Sequence, residues 1–528
     1  MCKLKPAAIF SDNMVLQHGK PVPVWGWGSG TICVKWESGS VNFKTETVAE
    51  NGYWGLSLPP LPACLKGELV ITDGTDEIRL KNAVTGDVWF AGGQSNMEME
   101  LINCKNGEAE LAACTCSEAS STCSEASSTN ENIRFYQVVK RAVIDEDYLR
   151  EEAASRWQIC SPDTAAMLSA VAFFFARKIN ADLDIPVGII NCSWGGTSIS
   201  TWMSREQLEK TRAGQRFIDD YNTLIGGKSD EQYNAEMENH NAKWREWDSR
   251  VRARKEKEPG VSIEVLNREC GKSPWPQPAG KTSPYCPTNL HTARILRAAP
   301  FALKGFLYYQ GEEDAPLRNA DYREMMYYLI TQWRRDWHDN TLPFLFVQLP
   351  MFISRDEMES SNQSGIPPED WCFMREAQYL ASLDNANTGL AVIIDCGEFD
   401  NIHPLDKQTV GFRLALHALK KVYGKEIAAD GPVFSYATTE GSTLRLRFSN
   451  AECGIEFRGN KGDIYACFEV SGGDNHYYPA KAEIDGNDVV LSSEHVTQPK
   501  LARYAWYKFG PTPLFAKNGL PAMPFRMG

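Results

Sequence analysis

Two side chains in this sequence, Ser95 and His403, have the type and neighbours needed for nucleophilic attack on a carbonyl carbon. Ser95 lies in Gly92-Gly93-Gln94-Ser95-Asn96-Met97, directly after the apolar run Asp87-Val-Trp-Phe-Ala91. A strand that ends in glycines and then a serine lifts the hydroxyl off a sheet edge and leaves backbone N–H groups beside it. His403 is the candidate base, because an imidazole near neutral pKa takes and returns a proton. Asp400, three residues earlier, has the spacing to accept the His403 Nδ1–H, with Glu398 in reserve. Three sources could donate to a developing oxyanion: the Ser95 N–H, the N–H of Gly195 or Gly196, and the Gln310 side-chain amide. Gln94, Asn96, Trp194 and Glu312 flank these positions and are candidates for holding substrate, whereas Trp202 reads as a core aromatic.

Elements able to bring these residues together can be read from apolar runs. Five stand out: 87–91, Val187-Gly-Ile-Ile-Asn-Cys192, Gly305-Phe-Leu-Tyr-Tyr309, Pro343-Phe-Leu-Phe-Val-Gln348 and Leu390-Ala-Val-Ile-Ile-Asp395. Continuous apolar strands separated by helical periodicity predict a five-stranded parallel sheet covered on both faces. Ligands in such sheets sit outside the carboxyl ends of the strands. Four of the five ends carry small and polar residues: Gly93-Gln-Ser-Asn-Met97, Ser193-Trp-Gly-Gly-Thr-Ser198, Gln310-Gly-Glu-Glu-Asp314 and Cys396-Gly-Glu-Phe-Asp-Asn-Ile-His-Pro404. Their convergence on one rim is what raises Ser95 above an ordinary loop serine.

The chain divides by texture. Residues 1–86 show short alternating runs punctuated by Gly and Pro, a β-sandwich pattern. Residues 87–425 form the α/β region, with a helix-prone, then Pro-rich insertion at about 205–283. Residues 431–528 return to β texture, with the N-terminal region as a candidate packing partner. Trp244, Trp247 and Trp275 in the insertion are candidates for stacking on a sugar, set against ordinary core or loop packing.

Composition excludes several classes. The 528 residues carry 68 acidic against 55 basic side chains, a formal charge of −13, which argues against nucleic-acid partners. The longest apolar run, Ala165–Ala176, is too short for a membrane span of ~20 residues and predicts a buried helix. Met1 is followed by no long apolar core, so a cytoplasmic protein is expected; a chain trimmed of a leader would be secreted or periplasmic. The 15 cysteines then read as reduced thiols. Cys104, Cys114, Cys116 and Cys123 lack paired metal-ligand spacing and fall in a low-complexity loop at about 104–130 that contains a tandem duplication. No Gly-x-Ser-x-Gly, His-Glu-x-x-His or phosphate loop occurs, which leaves a serine esterase needing neither metal nor cofactor.

Several blocks together resemble a known family. They are Phe10-Ser-Asp-Asn-Met-Val-Leu-Gln17, Gly86-Asp-Val-Trp89, Gly93-Gln-Ser-Asn-Met97, Ser193-Trp-Gly-Gly-Thr197, Tyr309-Gln-Gly-Glu312, Arg375-Glu-Ala-Gln378 and Ile402-His-Pro404. The chain is similar nearly end to end to the sialate O-acetylesterase family of the SGNH hydrolase superfamily, which has acetylxylan-esterase relatives. The resemblance implies a flavodoxin-like three-layer α/β/α domain with accessory β-domains, and removal of acetyl esters from sugar hydroxyls. It further implies that Ser95 and His403 are catalytic, with Gly196 and Gln310 in the oxyanion hole. Relatives often place aspartate immediately before isoleucine-histidine, where this chain has Asn401; Asp400 meets the superfamily's Asp-x-x-His spacing. Acetylated xylan or mannan is the alternative substrate, and a carbohydrate-binding protein without turnover is the rival from another class. Oligomeric state is not legible.

Overall fold

The strand that delivers Ser95 is far longer than its apolar core. In the computed structural model, which describes residues 3–39, 41–113, 130–258 and 261–527, β1 (Lys66–Thr72) is followed by β2 (Glu77–Gly93). The first half of β2 alternates exposed and buried residues and pairs antiparallel with β1. Its second half is buried throughout and pairs parallel with β5 (Val187–Ser193) and β6 (Gly305–Tyr309). Both textures read from the sequence are present, but the boundary expected at residue 86 lies inside one continuous strand. Asp87 sits at the changeover, fully buried, where Gln17 Nε2 donates to it at 2.7 Å; His18 Nε2 lies 3.1 Å away and Lys304 Nζ 3.4 Å. A buried carboxylate requires such partners, which accounts for Gln17 and Asp87 in the N-terminal blocks.

The chain forms two compact units: 1–245, 274–310 and 327–344 in the first, and 246–273, 311–326 and 345–528 in the second. In the first unit the strand order is β4-β3-β5-β2-β6, where β3 is Asn130–Gln137 and β4 is Gln158–Cys160. All neighbours in this order are parallel except β4, which runs antiparallel to β3. The expected set of strands is therefore corrected: β3 is a parallel strand that the sequence reading missed, and the sheet that contains β2 is mixed. Asn130-Glu-Asn-Ile-Arg-Phe-Tyr-Gln137 lacks a continuous apolar run because Arg134 is buried in its middle. Its guanidinium donates to the carbonyls of Glu131, Asn13 and Asn82, which meets the cost of burying it. Adjacent β2 residues point to opposite faces. Trp89 meets Phe175 of α2 (Ala170–Leu183), ring centroids 4.9 Å apart, while Phe90 meets Trp333 at 5.4 Å. The apolar run at 165–176 thus enters a buried helix capped by Ser169, as expected.

In the second unit β7 (Phe344–Gln348) neighbours β8 (Thr388–Val392), against which α5 (Asp370–Asp384) and α6 (Lys407–Lys421) pack. The β texture beyond residue 431 appears as small antiparallel sheets, one of them ordered Val433–Glu440, Thr443–Ser449, Asp488–Ser492, Lys481–Asp485. This segment clusters with residues 345–430. The insertion is helical where expected, in α3 (Asp230–Lys255) and α4 (Ile263–Cys270) among others. Among the described residues no helix is long and apolar enough to cross a membrane. Cys104 is buried, while Cys114, Cys116 and Cys123 lie outside the described residues.

Candidate active site

Ser95 opens the four-residue helix α1 (Ser95–Glu98) at the carboxyl end of β2 and keeps part of its surface exposed. Gly93, at φ +135°, makes this exit possible: a Cβ there would lie 2.1 Å from the Tyr309 carbonyl oxygen. The Gln94 N–H donates to that same carbonyl at 3.0 Å. β5 ends level with β2, Ser193 paired with Gly93, and its following turn, residues 193–197, runs beside Ser95. The chain visits β5 on one side of β2 and β6 on the other, so the two turns diverge at a topological switch point.

This turn is held at several backbone groups. Arg294, buried, donates to the Ser193 carbonyl at 2.7 Å and to the Val138 carbonyl at 3.0 Å. The Trp194 N–H donates to the Gly93 carbonyl at 3.0 Å, and Thr197 Oγ1 to the Trp194 carbonyl at 2.7 Å. The Gly195 N–H donates to Glu98 Oε2 at 2.5 Å. Gln310 Nε2 reaches the Thr197 carbonyl and Gln94 Oε1, each at 3.1 Å. Gly196 differs: among the described residues its N–H meets no protein acceptor, and its φ is +69°. Of the alternatives Gly195 and Gly196, the second is the one whose N–H has no acceptor among the described residues. With Thr197 and Gln94 as acceptors, the Gln310 amide ties the end of β6 to the neighbouring turns.

The half-exposed indole of Trp275 occupies the space a Gly196 Cβ would fill, its Cη2 2.2 Å from that position, and its ring meets Tyr285 edge-on. Among the tryptophans singled out in the insertion, Trp275 thus contacts the 193–197 turn. Trp247 is buried against Val251 and Leu266, and Trp244 is exposed on α3. Trp194 is partly exposed, with the Lys140 and Arg294 cations 5.4 and 5.5 Å from its ring. Gln94, Asn96 and Glu312 are buried.

In the second unit His403 lies in a loop fixed by its own polar side chains. Its N–H donates to Asn401 Oδ1 at 3.1 Å, and Asn401 Nδ2 donates to Glu398 Oε2 at 2.7 Å. Glu398 Oε1 accepts the Leu405 N–H at 2.8 Å, and Glu264 Oε1 the Ile402 N–H at 3.3 Å. Asp400 is left-handed at φ +54°, and both of its carboxylate oxygens have partners. One oxygen accepts the Arg355 N–H at 2.9 Å and the other meets Arg268 Nη1 at 2.5 Å. Asp400 anchors the loop through Arg355 and Arg268, and Glu398 through Asn401 and Leu405. Burial and two nearby lysines set the His403 pKa. Crowding by protein atoms, although part of the residue still meets solvent, pushes it down to about 4, with further lowering by the positive charges of Lys407 and Lys255. Sequence reasoning missed Arg294, Glu98 and Lys255, none of which follows directly on a strand end.

Residues 273–386 match a family model described as SASA, a carbohydrate esterase family of sialic acid-specific acetylesterases. The sialate O-acetylesterase of Homo sapiens is 25% identical over 98% of this chain and 91% of its own length. That of Mus musculus is 26% identical over 81% of this chain and 75% of its own. Among solved structures, a carbohydrate acetylesterase from Xanthomonas citri superposes with a TM-score of 0.72 at 27% identity, covering 99% of both chains. The resemblance read from the sequence blocks is borne out by all three.

Proposed function

We propose that this chain is a carbohydrate O-acetylesterase that removes acetyl groups from sugar hydroxyls through an acetyl-serine intermediate, with O-acetylated sialic acid as its substrate. The near end-to-end similarity to sialate O-acetylesterases and to a carbohydrate acetylesterase supports the reaction class. The observation carrying the mechanism is the Gly196 N–H, without a protein acceptor among the described residues, in a turn beside Ser95 whose Trp194 and Gly195 N–H groups are both bonded. The parallel strands and the helices on both faces support reading this region as an SGNH-type three-layer domain.

Ser95 Oγ attacks the acetyl carbonyl carbon while His403 takes its proton, and the Gly196 and Ser95 N–H groups stabilise the oxyanion. Collapse expels the sugar oxygen, which receives the proton from His403. Water, deprotonated in turn by His403, attacks the acetyl-serine and releases acetate. Asp400 holds the loop that carries the base.

Positive charge at His403 favours an anionic sugar over a neutral one. Lys255 has no ion-pair partner among the described residues, and its charge and that of Lys407 both act on the imidazole. Sialic acid brings a carboxylate to such a field, whereas xylan and mannan fragments bring none. Acetate release from O-acetylated sialic acid, acetylated xylo-oligosaccharides and acetylated manno-oligosaccharides tests this reading beside Ser95→Ala. Release from the sialic acid, absent in the variant, is expected. Release mainly from the neutral oligosaccharides would keep the chemistry and overturn the substrate, and no release from any would favour a binding protein.

A further inference from the structure

Glu98 is a carboxylate in direct contact with the turn that offers the proposed oxyanion donor. It lies one helical turn beyond Ser95 on α1, so nucleophile and carboxylate belong to the same four-residue element. One oxygen accepts the Gly195 N–H at 2.5 Å, and the other meets the Lys140 ammonium. Lys140 also lies 5.4 Å from the Trp194 ring, so the pair grips both the backbone and the side chain of the turn. Without Glu98 the Gly195 N–H would lose its acceptor, and a turn with two consecutive glycines has little intrinsic preference for one conformation. Held, the 194–195 peptide fixes the orientation of the next one, whose N–H on Gly196 has no protein acceptor among the described residues.

We propose that Glu98 is the positioning residue of the oxyanion hole: by binding the Gly195 N–H it directs that hydrogen inward and leaves the Gly196 N–H aimed at the acetyl oxygen. Glu98 touches no reacting atom in this role. It acts through the turn, and the inference rests on the esterase reading of Ser95. Carboxylate charge is not what the role requires, because any acceptor at Oε2 would hold the N–H; Lys140 keeps the carboxylate in place and neutralises it beside the developing oxyanion.

Glu98→Ala and Glu98→Gln separate grip from charge. A misplaced donor costs turnover rather than ground-state binding, so Glu98→Ala should lose about 10- to 100-fold in kcat with KM changed less than about 3-fold. Affinity for a boronic acid that forms a tetrahedral adduct with a serine hydroxyl should fall by a similar factor. Glu98→Gln, whose amide oxygen still accepts the Gly195 N–H, should recover most of both, and all three proteins should melt alike. Unchanged kcat in Glu98→Ala, or a Glu98→Gln variant as impaired as Glu98→Ala, would overturn the positioning role. Ser95→Ala, run alongside, isolates the underlying reading: if it still hydrolyses, the esterase assignment fails whatever Glu98 does.

Discussion

Lowering the pH probes the least ordinary property of the proposed base. An imidazole at its usual pKa, ~6.5, would be only about 3% neutral at pH 5, and a reaction needing the neutral ring would already be mostly lost. His403 titrates at about 4, because protein atoms crowd the ring and Lys407 and Lys255 repel a second positive charge. At pH 5 it is then about 90% neutral, a difference of roughly 30-fold in the competent form. The assay is kcat/KM between pH 3.5 and 8 on a small uncharged acetate ester, so that the substrate does not titrate. The acid limb should lie well below 6.5, near 4. Lys255→Met removes one of the repelling charges and should move the limb upward, toward the ordinary value. A midpoint at 6.5 in the wild-type protein, unmoved by Lys255→Met, would refute the reasoning about the surroundings of His403.

Other outcomes follow from the same geometry. Asp400→Asn keeps an acceptor for the Arg355 N–H and should cost less than about 10-fold in kcat, whereas loss of a triad carboxylate costs about 10⁴-fold; steady-state kinetics distinguish the two. Gly196→Ala must adopt φ +69° and displace the Trp275 indole, so chemical denaturation should show about 1–2 kcal/mol of destabilisation together with a kcat loss exceeding that of Gly227→Ala, another positive-φ glycine whose Cβ would meet open space. Trp275→Ala should raise KM for the acetylated sugar by about 2- to 10-fold, the range of one aromatic contact, and leave a small alkyl acetate unaffected. Buried His417, pushed down to about 4 by burial against the pull of Asp430, binds its proton near 6.5 only in the unfolded chain. Between those values the unfolded state holds more protons, so stability falls as pH falls, by about 3 kcal/mol once pH passes below 4, measurable by urea unfolding in His417→Gln and wild type.

Local signals in the chain were enough to bring Ser95 and the glycine turn after β5 to one place. Apolar strands followed by glycines identified the ends of β2 and β5, and their register, Gly93 beside Ser193, puts Ser95 next to the 195–196 turn. β3 escaped because a buried arginine interrupts its apolar pattern, and the carbonyls that satisfy Arg134 come largely from distant residues, Asn13 and Asn82. Side-chain direction was the other thing spacing could not convey. Asp400 meets the Asp-x-x-His spacing, and its carboxylate meets Arg268, an arginine 132 positions away. The acceptors of Gln310, Gln94 and Thr197, belong to other strand ends. Glu98 escaped notice because its partners, Gly195 and Lys140, reach it only through tertiary structure.

The central claim is a covalent acetyl group on Ser95. Rapid acid quench of the protein during turnover of an O-acetylated sialic acid, followed by digestion and mass spectrometry, measures it directly. The account predicts one added acetyl group on the peptide containing Ser95, accumulating within the first turnover and absent from Ser95→Ala. Acetate release at full rate with that peptide unmodified, or an acetyl group trapped on another residue, would contradict it.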